Sequence, residues 1–318
     1  MDEPGVEARG AQAPIAFVFP AASARRALVS DLFLYIATVL IWGSTWFVIT
    51  LQLGTVPPAV SVAWRFLLAA AILLGFSLLR GLPLRFSRRE HLWMALQGLL
   101  LFCLNYVGFY VSEQYLASGL VAVICSMLLI GNIIGMRVFF GVHTGRLNLV
   151  GALLGIIGVV VLFWPELRTL SSGGTTTVGM AWAFAATISA SLGNMAATRN
   201  QRHHMPVLQV NGWSMLYGAL FTCIIAACLG LRFTFDWSWR YIAPLVYLAV
   251  FGSVLAFGAY LTLMKRIGAA RAGYSMVAIP AVALLISTAL EHLQWTVLMW
   301  IGVALCLAGN VLVLRRER

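Results

Sequence analysis

The sequence predicts an all-α polytopic membrane protein with ten transmembrane helices, arranged as two inverted five-helix repeats. Ten apolar segments of about 20 residues each run along the chain, and about 20 apolar residues in a helix cross a hydrocarbon core of about 30 Å. Hydrophobic residues make up 61% of the chain and charged residues only 10%. Soluble domains average about 25% charged residues. The composition therefore excludes a soluble protein.

The apolar segments follow one another through short connections, many of which contain Pro or Gly. These connections leave no room for an extramembrane domain, so any function must lie within the helices. In chain order, the predicted spans are 32–51, 59–79, 91–109, 116–138, 147–164, 178–199, 210–229, 241–262, 268–290 and 296–314.

Basic residues mark one side of the predicted bundle. Of the 21 Lys and Arg residues, 17 fall in the terminal segments and in the connections after helices two, four, six and eight. Arg168, Arg232 and Arg240 lie in connections on the opposite side. The positive-inside rule therefore predicts that both termini are cytoplasmic. Because the charges occur in short runs rather than on one solvated face, no nucleic-acid partner is expected despite the net charge of +11.

The remaining segments complete the predicted organisation. Residues 1–30 are expected to form a disordered cytoplasmic tail, because their apolar stretch at 15–19 is too short for a signal peptide. The first repeat is expected at 31–165 and the second at 178–315, joined by an external linker at 166–177 rich in Gly, Ser and Thr. The five cysteines lie in apolar segments without CxxC or histidine spacing, so no metal or other cofactor is predicted.

Two glycine pairs indicate an internal duplication. Gly151 and Gly158 in helix five correspond to Gly302 and Gly309 in helix ten, both at an offset of 151 residues. Because five crossings is an odd number, the second copy enters the membrane from the opposite side, as in the inverted repeats of many secondary transporters. Transport is therefore the leading hypothesis.

Helix one carries Trp42-Gly43-Ser44-Thr45-Trp46 near the middle of its span. Gly43 permits close approach of a neighbouring helix and is a candidate hinge, while Ser44 and Thr45 bring hydroxyl groups to bilayer depth. Two interpretations stay open. These residues either pack helices together, as small and hydroxyl residues do in membranes, or line a central path with the two indoles as apolar walls.

Further motifs accompany this segment. They are Trp64-Arg65-Phe66 in helix two, Tyr115-Leu116-Ala117-Ser118 before helix four, Gly151, Gly155 and Gly158 in helix five, and a poorer second copy at Ile267-Gly268-Ala269-Ala270, Pro280, Glu291, Gly302 and Gly309. Together they resemble the EamA repeat of the drug/metabolite transporter superfamily over residues 31–315. The resemblance implies a ten-helix bundle with a central cavity that exports small metabolites such as amino acids or their derivatives. We expect a multi-pass protein of a bacterial inner membrane.

The two halves depart differently from the family pattern, which tends to have a proline within the fourth helix of each repeat and a Gly-Glu pair near its end. The second half keeps Pro280 and Glu291, although Leu290 replaces the glycine. The first half has Leu129 and Phe140 at the offset positions. Since proline removes a backbone hydrogen bond and permits bending, Pro280 is a second candidate hinge and helix nine is expected to bend more than helix four.

Arg65 is the most informative single residue, about 10 Å along helix two from Pro58. A charge at this depth costs about 2.5 kcal/mol or more unless it is paired or reaches the interface. Arg65 is therefore either structural, by snorkelling or by meeting Glu113, or a docking point for a substrate carboxylate or phosphate.

Other polar and aromatic residues could line a substrate path or bond a neighbouring helix. The full set of substrate-path candidates is Trp42, Ser44, Thr45, Trp46, Arg65, Asn105, Tyr106, Asn132, Ser189, Asn194, Trp213, Tyr217, Tyr260 and Tyr274.

A membrane-embedded enzyme and a channel are the alternatives to a carrier. No Asp or Glu lies in the middle of a predicted span, and all five histidines lie at helix ends or in loops, so no catalytic constellation is visible. Any ion coupling would use peripheral acids, backbone carbonyls or the charge of the substrate, and facilitated export without coupling stays open. The sequence thus predicts a non-enzymatic secondary transporter that exports amino-acid-like or aromatic metabolites by alternating access, with a small-molecule substrate and the lipid bilayer as partners.

Overall fold

A computed structural model of the protein describes residues 22–142, 145–164, 175–267 and 275–314. Within these ranges the chain forms ten helical segments and no β-strand. The segments are α1 Ala22–Thr50, α2 Pro58–Leu79, α3 Arg88–Ser112, α4 Ser118–Phe140, α5 Arg146–Leu162, α6 Thr175–Arg202, α7 Val207–Cys228, α8 as the consecutive pieces Trp239–Val246, Tyr247–Leu255 and Ala256–Ile267, α9 Ser275–Leu290, and α10 Val297–Leu314.

Six of the described helices are long and apolar enough to cross a membrane. They are Ser30–Thr50 of α1, the whole of α2, α3, α4 and α7, and Trp239–Tyr260 of α8. Three further helices, α5, α9 and α10, are apolar but shorter, and α6 is long but carries many Thr, Ser and Asn residues. Helix length and hydropathy therefore support six of the ten predicted crossings.

The first helix begins earlier than predicted. α1 starts at Ala22 rather than at residue 32, because the Ala- and Arg-containing segment before Asp31 has high helix propensity. Residues 22–30 of the predicted tail thus belong to α1, and residues 1–21 lie outside the described ranges. Most of the predicted linker, 165–174, and the predicted start of helix nine, 268–274, also lie outside them.

Glycines bring α5 and α10 into direct backbone contact. A Cβ atom on Gly302 would stand 2.7 Å from the carbonyl oxygen of Gly158, and one on Gly309 would stand 2.5 Å from that of Gly151. No side chain fits at either distance. The glycines that reveal the duplication in the sequence are thus also the ones that allow the last helices of the two repeats to pack together.

Two apolar cores share α3. One contains Phe109 together with residues of α4, α5, α6, α9 and α10, and the other contains Phe102 together with residues of α1, α2, α7 and α8. The two cores leave a space between them, which is the cavity described below.

Equivalent positions of the two repeats carry π-helical turns. In α3 the π-helical segment is Gly98–Leu104, and in α8 it is Tyr247–Leu255. A shift of 151 residues moves the first segment onto 249–255, inside the second. π-Helical turns widen the helix and frequently occur at functional sites, and both segments here supply contacts around the cavity.

Candidate substrate cavity

A cavity of about 540 Å³ lies between the two halves of the described chain. Its lining comes from α1, α2, α3, α4, α6, α8, α9 and α10. At one end it reaches Arg65, which is 2% exposed, and at the other it reaches Gln201, which is exposed. The cavity therefore opens at the Gln201 end and is blind at the Arg65 end.

Aromatic rings form much of the cavity wall. The ring of Trp42 packs edge-on against Phe257 at 5.1 Å between centroids and lies 5.4 Å from the ring of Tyr260. Trp46 packs edge-on against Phe109, also at 5.1 Å. Such pairs combine large apolar area with defined geometry. They suit an apolar or aromatic part of a bound solute.

Arg65 is the one charged side chain among the described residues that line the cavity. Its Nε donates to Ser253 Oγ at 3.2 Å, and its guanidinium carbon lies 4.6 Å from the centre of the Tyr106 ring. The Nη1 atom has no hydrogen-bond partner among the described residues. Arg65 is too deeply buried to snorkel, and no ion pair joins it to Glu113 within the described structure. Its free donor is available to a ligand.

The π-helical turn of α8 holds both Arg65 and Trp42. Ser253 Oγ donates to the carbonyl of Leu248, five residues earlier, and at the same time accepts from Arg65. The neighbouring carbonyl of Gly252 accepts from Nε1 of Trp42 at 3.0 Å. An ordinary α-helical turn would direct this carbonyl along the helix axis. The second repeat thus fixes the two most distinctive residues of the first.

Asn105 offers a second unpaired polar atom to the cavity. Its Nδ2 donates to the carbonyl of Leu101 at 3.0 Å, while its Oδ1 has no partner among the described residues. Because Arg65 has an unused donor and Asn105 an unused acceptor, the cavity can recognise a solute that carries both an acceptor and a donor.

Buried polar side chains close the blind end of the cavity. The hydroxyl of Tyr110 donates to Gln52 Oε1 at 2.9 Å, and both residues are at most 1% exposed. Ser61 and Tyr241 form a second buried pair at 2.9 Å between α2 and α8. Within the described residues, these contacts separate the cavity at Arg65 from the solvent at that end of the bundle.

Two acidic residues also lie at the blind end, and their surroundings differ. Glu291, which follows α9, accepts from the backbone N–H of Ser118 at 3.3 and 3.2 Å and from its hydroxyl at 2.6 Å. It thereby caps the first turn of α4, as carboxylates at helix N-termini do. Glu113, which follows α3, is 6% exposed, and neither of its oxygens has a partner among the described residues.

The open end is lined by amides. Asn194 Nδ2 donates to Asn132 Oδ1 at 3.3 Å, which links α6 to α4, and Asn310 of α10 lines the same space. Thr198 and Gln201 continue the polar surface toward the outside of the bundle. A polar solute that enters from the solvent can replace its hydrating water with hydrogen bonds to these amides.

The structure brings together most of the substrate-path candidates predicted from the sequence. Those that line the cavity are Trp42, Thr45, Trp46, Arg65, Asn105, Tyr106, Asn132, Asn194 and Tyr260. Tyr274 lies outside the described residues.

The other four candidates do not line the cavity, because each is held by a neighbouring segment. Ser44 shares a hydrogen bond of 2.7 Å with the hydroxyl of Tyr247, and Ser189 donates to the carbonyl of Leu100 at 2.7 Å. Trp213 donates to the carbonyl of Leu84, and the hydroxyl of Tyr217 shares a hydrogen bond with His91 Nδ1 at 2.9 Å. In the described structure these four side chains contact neighbouring segments, and their substrate-path role stays a prediction.

Sequence reasoning missed several lining residues. Asn310 and Ser126 are polar residues within apolar helices, and that signal could have identified them. Thr198 and Gln201 lie near the end of α6, where polar residues are ordinary, so no sequence signal distinguishes them. Phe257 was missed because an aromatic residue in an apolar helix is as often lipid-facing as cavity-facing.

The two candidate hinges occupy different surroundings. A Cβ atom on Gly43 would stand 2.6 Å from Cγ1 of Val282, so Gly43 allows α1 to approach α9 closely. Pro280 lies within the continuous helix α9 and lines the cavity. The helical hydrogen bonding of α4 is interrupted at Met127, although α4 contains no proline. The hinge roles stay predictions.

A bundle of apolar helices around a cavity that opens at one end is typical of a multi-pass membrane transporter. The sequence matches the EamA-like transporter family over residues 30–164 and 177–315, so the chain belongs to that family.

Similar proteins agree with this assignment. The Escherichia coli K12 protein named "Uncharacterized inner membrane transporter YedA" is 30% identical over 280 residues, which are 87% of this chain and 88% of that protein. The Bacillus subtilis protein named "Uncharacterized transporter YoaV" is 20% identical over 86% of this chain and 93% of its own length. A solved crystal structure with 18% identity superposes with a TM-score of 0.63, covering 89% of this chain and 96% of the other, and shows the same fold.

Proposed function

We propose that the protein is a secondary transporter that exports small amino-acid-like or aromatic metabolites by alternating access between its two inverted repeats. The observation that carries the proposal is the cavity of about 540 Å³, open at the Gln201 end and closed beyond Arg65. A carrier must be open to one side at a time, whereas a channel needs a continuous path. The proposal takes all ten helical segments as crossings, with the short helices α5, α9 and α10 completing the bundle.

The charge distribution supports an orientation for this cavity. The open end lies beside the connections rich in Arg and Lys, which the positive-inside rule assigns to the cytoplasm. The described conformation would then be open to the cytoplasm and closed to the outside. In this state an exporter takes up its substrate.

The lining supports a substrate class. Arg65 Nη1 can donate to a carboxylate or another anionic group, Asn105 Oδ1 can accept from an ammonium or hydroxyl group, and the indoles of Trp42 and Trp46 can cover an apolar portion. Hydrogen bonds to charged groups contribute about 1.5–3 kcal/mol each, enough for selectivity between an anion and a neutral analogue. The E. coli and B. subtilis relatives described above are both named as transporters, which favours transport over catalysis.

Flux measurements on proteoliposomes test the proposal. The purified protein is screened with a panel of labelled amino acids, their derivatives and aromatic acids. Saturable flux of an unchanged solute is expected. Flux that rises linearly with concentration would indicate a channel, and chemical conversion of a solute without flux would indicate an enzyme.

A substitution at Arg65 tests recognition separately. Arg65→Gln is expected to abolish flux of anionic or zwitterionic substrates while retaining flux of a neutral analogue. Arg266→Gln is the matched control, since Arg266 is exposed and pairs with Asp31 far from the blind end. Equal loss for both substrate types in Arg65→Gln would contradict direct recognition by the guanidinium.

A further inference from the structure

The blind end of the cavity contains several buried polar atoms that lack partners among the described residues. They are Gln52 Nε2, Arg65 Nη1, and both carboxyl oxygens of Glu113. Two of these groups are unused donors, and Glu113 provides two unused acceptors. An ionised carboxylate buried in this way costs several kcal/mol, so the group must either bind a proton or acquire donors.

Two charged groups near Glu113 act on its protonation, and one titratable group lies beside it. Glu291 faces it from the segment after α9, Arg65 faces it from α2, and Tyr110 lies one turn earlier on α3. The ends of α4 and α6 that pack nearby carry no charged side chain among their described residues. Glu291 accepts from Ser118 at both oxygens, and its negative charge opposes a second one at Glu113.

Burial and the negative charge of Glu291 together raise the pKa of Glu113 well above its usual value, and the positive charge of Arg65 opposes them only in part. The cause is geometric: burial removes the water that would stabilise the carboxylate, and Arg65 does not approach within ion-pair distance in the described structure. Closure of this end therefore favours the neutral acid over the carboxylate.

We propose that Glu113 is a proton-binding site whose occupancy is linked to closure of the blind end of the cavity. Closure forms one O–H bond on the Glu113 carboxyl group with a proton taken from water. Opening admits water, the O–H bond breaks, the proton leaves to the solvent at that end, and the carboxylate is stabilised by water and by the unused donors of Arg65 and Gln52. One proton is bound on closing and released on opening.

The link has a defined direction. Because the closed state binds the proton more tightly, it is favoured below the raised pKa and lost as pH rises through it. Between the ordinary carboxyl pKa of the open state and the raised pKa of the closed state, each pH unit shifts the ratio of closed to open molecules about tenfold toward the open state, and above the raised pKa the ratio becomes constant because both states are ionised. This linkage rests on the proposed alternating access, whereas proton binding by Glu113 does not.

Infrared titration of the full-length protein in lipid nanodiscs tests the proton site directly. The chain has only ten Asp and Glu residues, so the C=O band of one protonated acid is resolvable. We expect one band whose titration midpoint lies above the ordinary carboxyl range in the wild type, its loss in Glu113→Gln, and its retention in Glu90→Gln, in which the exposed acid of the α3 capping box is replaced. A wild-type titration without such a band, or persistence of the band in Glu113→Gln, would overturn the proposal.

Two further variants do not require Glu113 to be replaced. Glu291→Gln removes the repelling charge and is expected to lower the titration midpoint of the band, while Arg65→Gln removes the attracting charge and is expected to raise it. An unchanged midpoint in both variants would show that the titrating acid is not Glu113.

Labelling of Cys125, which lines the cavity, tests the link to closure. Alanine replaces the other four cysteines, and a membrane-impermeant maleimide is added from the side of the blind end. The labelling rate is expected to rise with pH more steeply in the protein that keeps Glu113 than in the same protein with Glu113→Gln. The Glu113→Gln protein shows how much of the rise comes from ionisation of the thiol alone. The same pH dependence in both would overturn the linkage. Flux from proteoliposomes assays the proposed function independently of either result.

Discussion

Arg65 of the first repeat donates from Nε to the hydroxyl of Ser253 in the second repeat, at 3.2 Å. Ser253 in turn donates to the carbonyl of Leu248 within the π-helical turn of α8. The buried cation is thus oriented by the opposite half of the molecule. Under the proposed alternating access, relative movement of the halves would change this contact, and the pair would then link substrate recognition to conformational change.

Removal of the serine hydroxyl tests the importance of this contact. Ser253→Ala leaves the Arg65 guanidinium without its hydrogen bond to α8, and such bonds to charged groups contribute about 1.5–3 kcal/mol. We expect the half-saturation concentration of an anionic substrate to rise about tenfold or more in a flux assay. Ser189→Ala is the control, because Ser189 donates to the Leu100 carbonyl and does not line the cavity. A similar effect in both variants would assign the loss to helix packing.

The space around the guanidinium depends on Gly252. A Cβ atom there would stand 2.8 Å from Cγ2 of Thr45 and 3.3 Å from Nη2 of Arg65. Gly252→Ala is therefore expected to displace Arg65 and to reduce flux about tenfold or more. Gly258→Ala in the same helix meets nothing within 4 Å and should retain flux, since alanine in an open helical position stabilises by about 0.5–1 kcal/mol. If Gly252→Ala transports normally, close packing at this position is not needed for function.

The sequence was sufficient to locate the helices and the buried charge, because both follow from local composition. Ten apolar segments could be read from hydropathy, and the depth of Arg65 follows from its distance to Pro58. The sequence could not show which face of each helix meets the cavity, because that depends on packing between distant segments. Ser44 illustrates the limit: its partner, Tyr247, lies 203 residues away in a π-helical turn with no sequence signal.

Because α5 and α10 are in direct backbone contact, we expect even an added methyl group at that contact to lower the stability of the protein. Gly302→Ala would place its Cβ 2.7 Å from the Gly158 carbonyl oxygen and from the backbone nitrogen of Leu162, so the two helices must separate. Overpacking of this kind costs about 1–3 kcal/mol. Thermal denaturation in detergent should show a clear decrease in midpoint. Gly75→Ala, whose Cβ meets nothing within 4 Å, should show none. Equal midpoints for both variants would contradict the close helix contact.

Helix α1 carries two tryptophans, Trp42 and Trp46, and comparing them separates the contribution of the Trp42 hydrogen bond from the contribution of its ring volume. Trp42→Phe loses the bond from Nε1 to the Gly252 carbonyl as well as part of its ring, whereas Trp46→Phe loses a similar volume from a ring that packs on Phe109. If the bond holds α1 against the π-helical turn of α8, Trp42→Phe should be less stable to heat than Trp46→Phe by about 0.5–1.5 kcal/mol. It should also label faster at Cys125, because the cavity wall loosens. Equal stability and equal labelling would mean that ring packing alone joins the two repeats at this position.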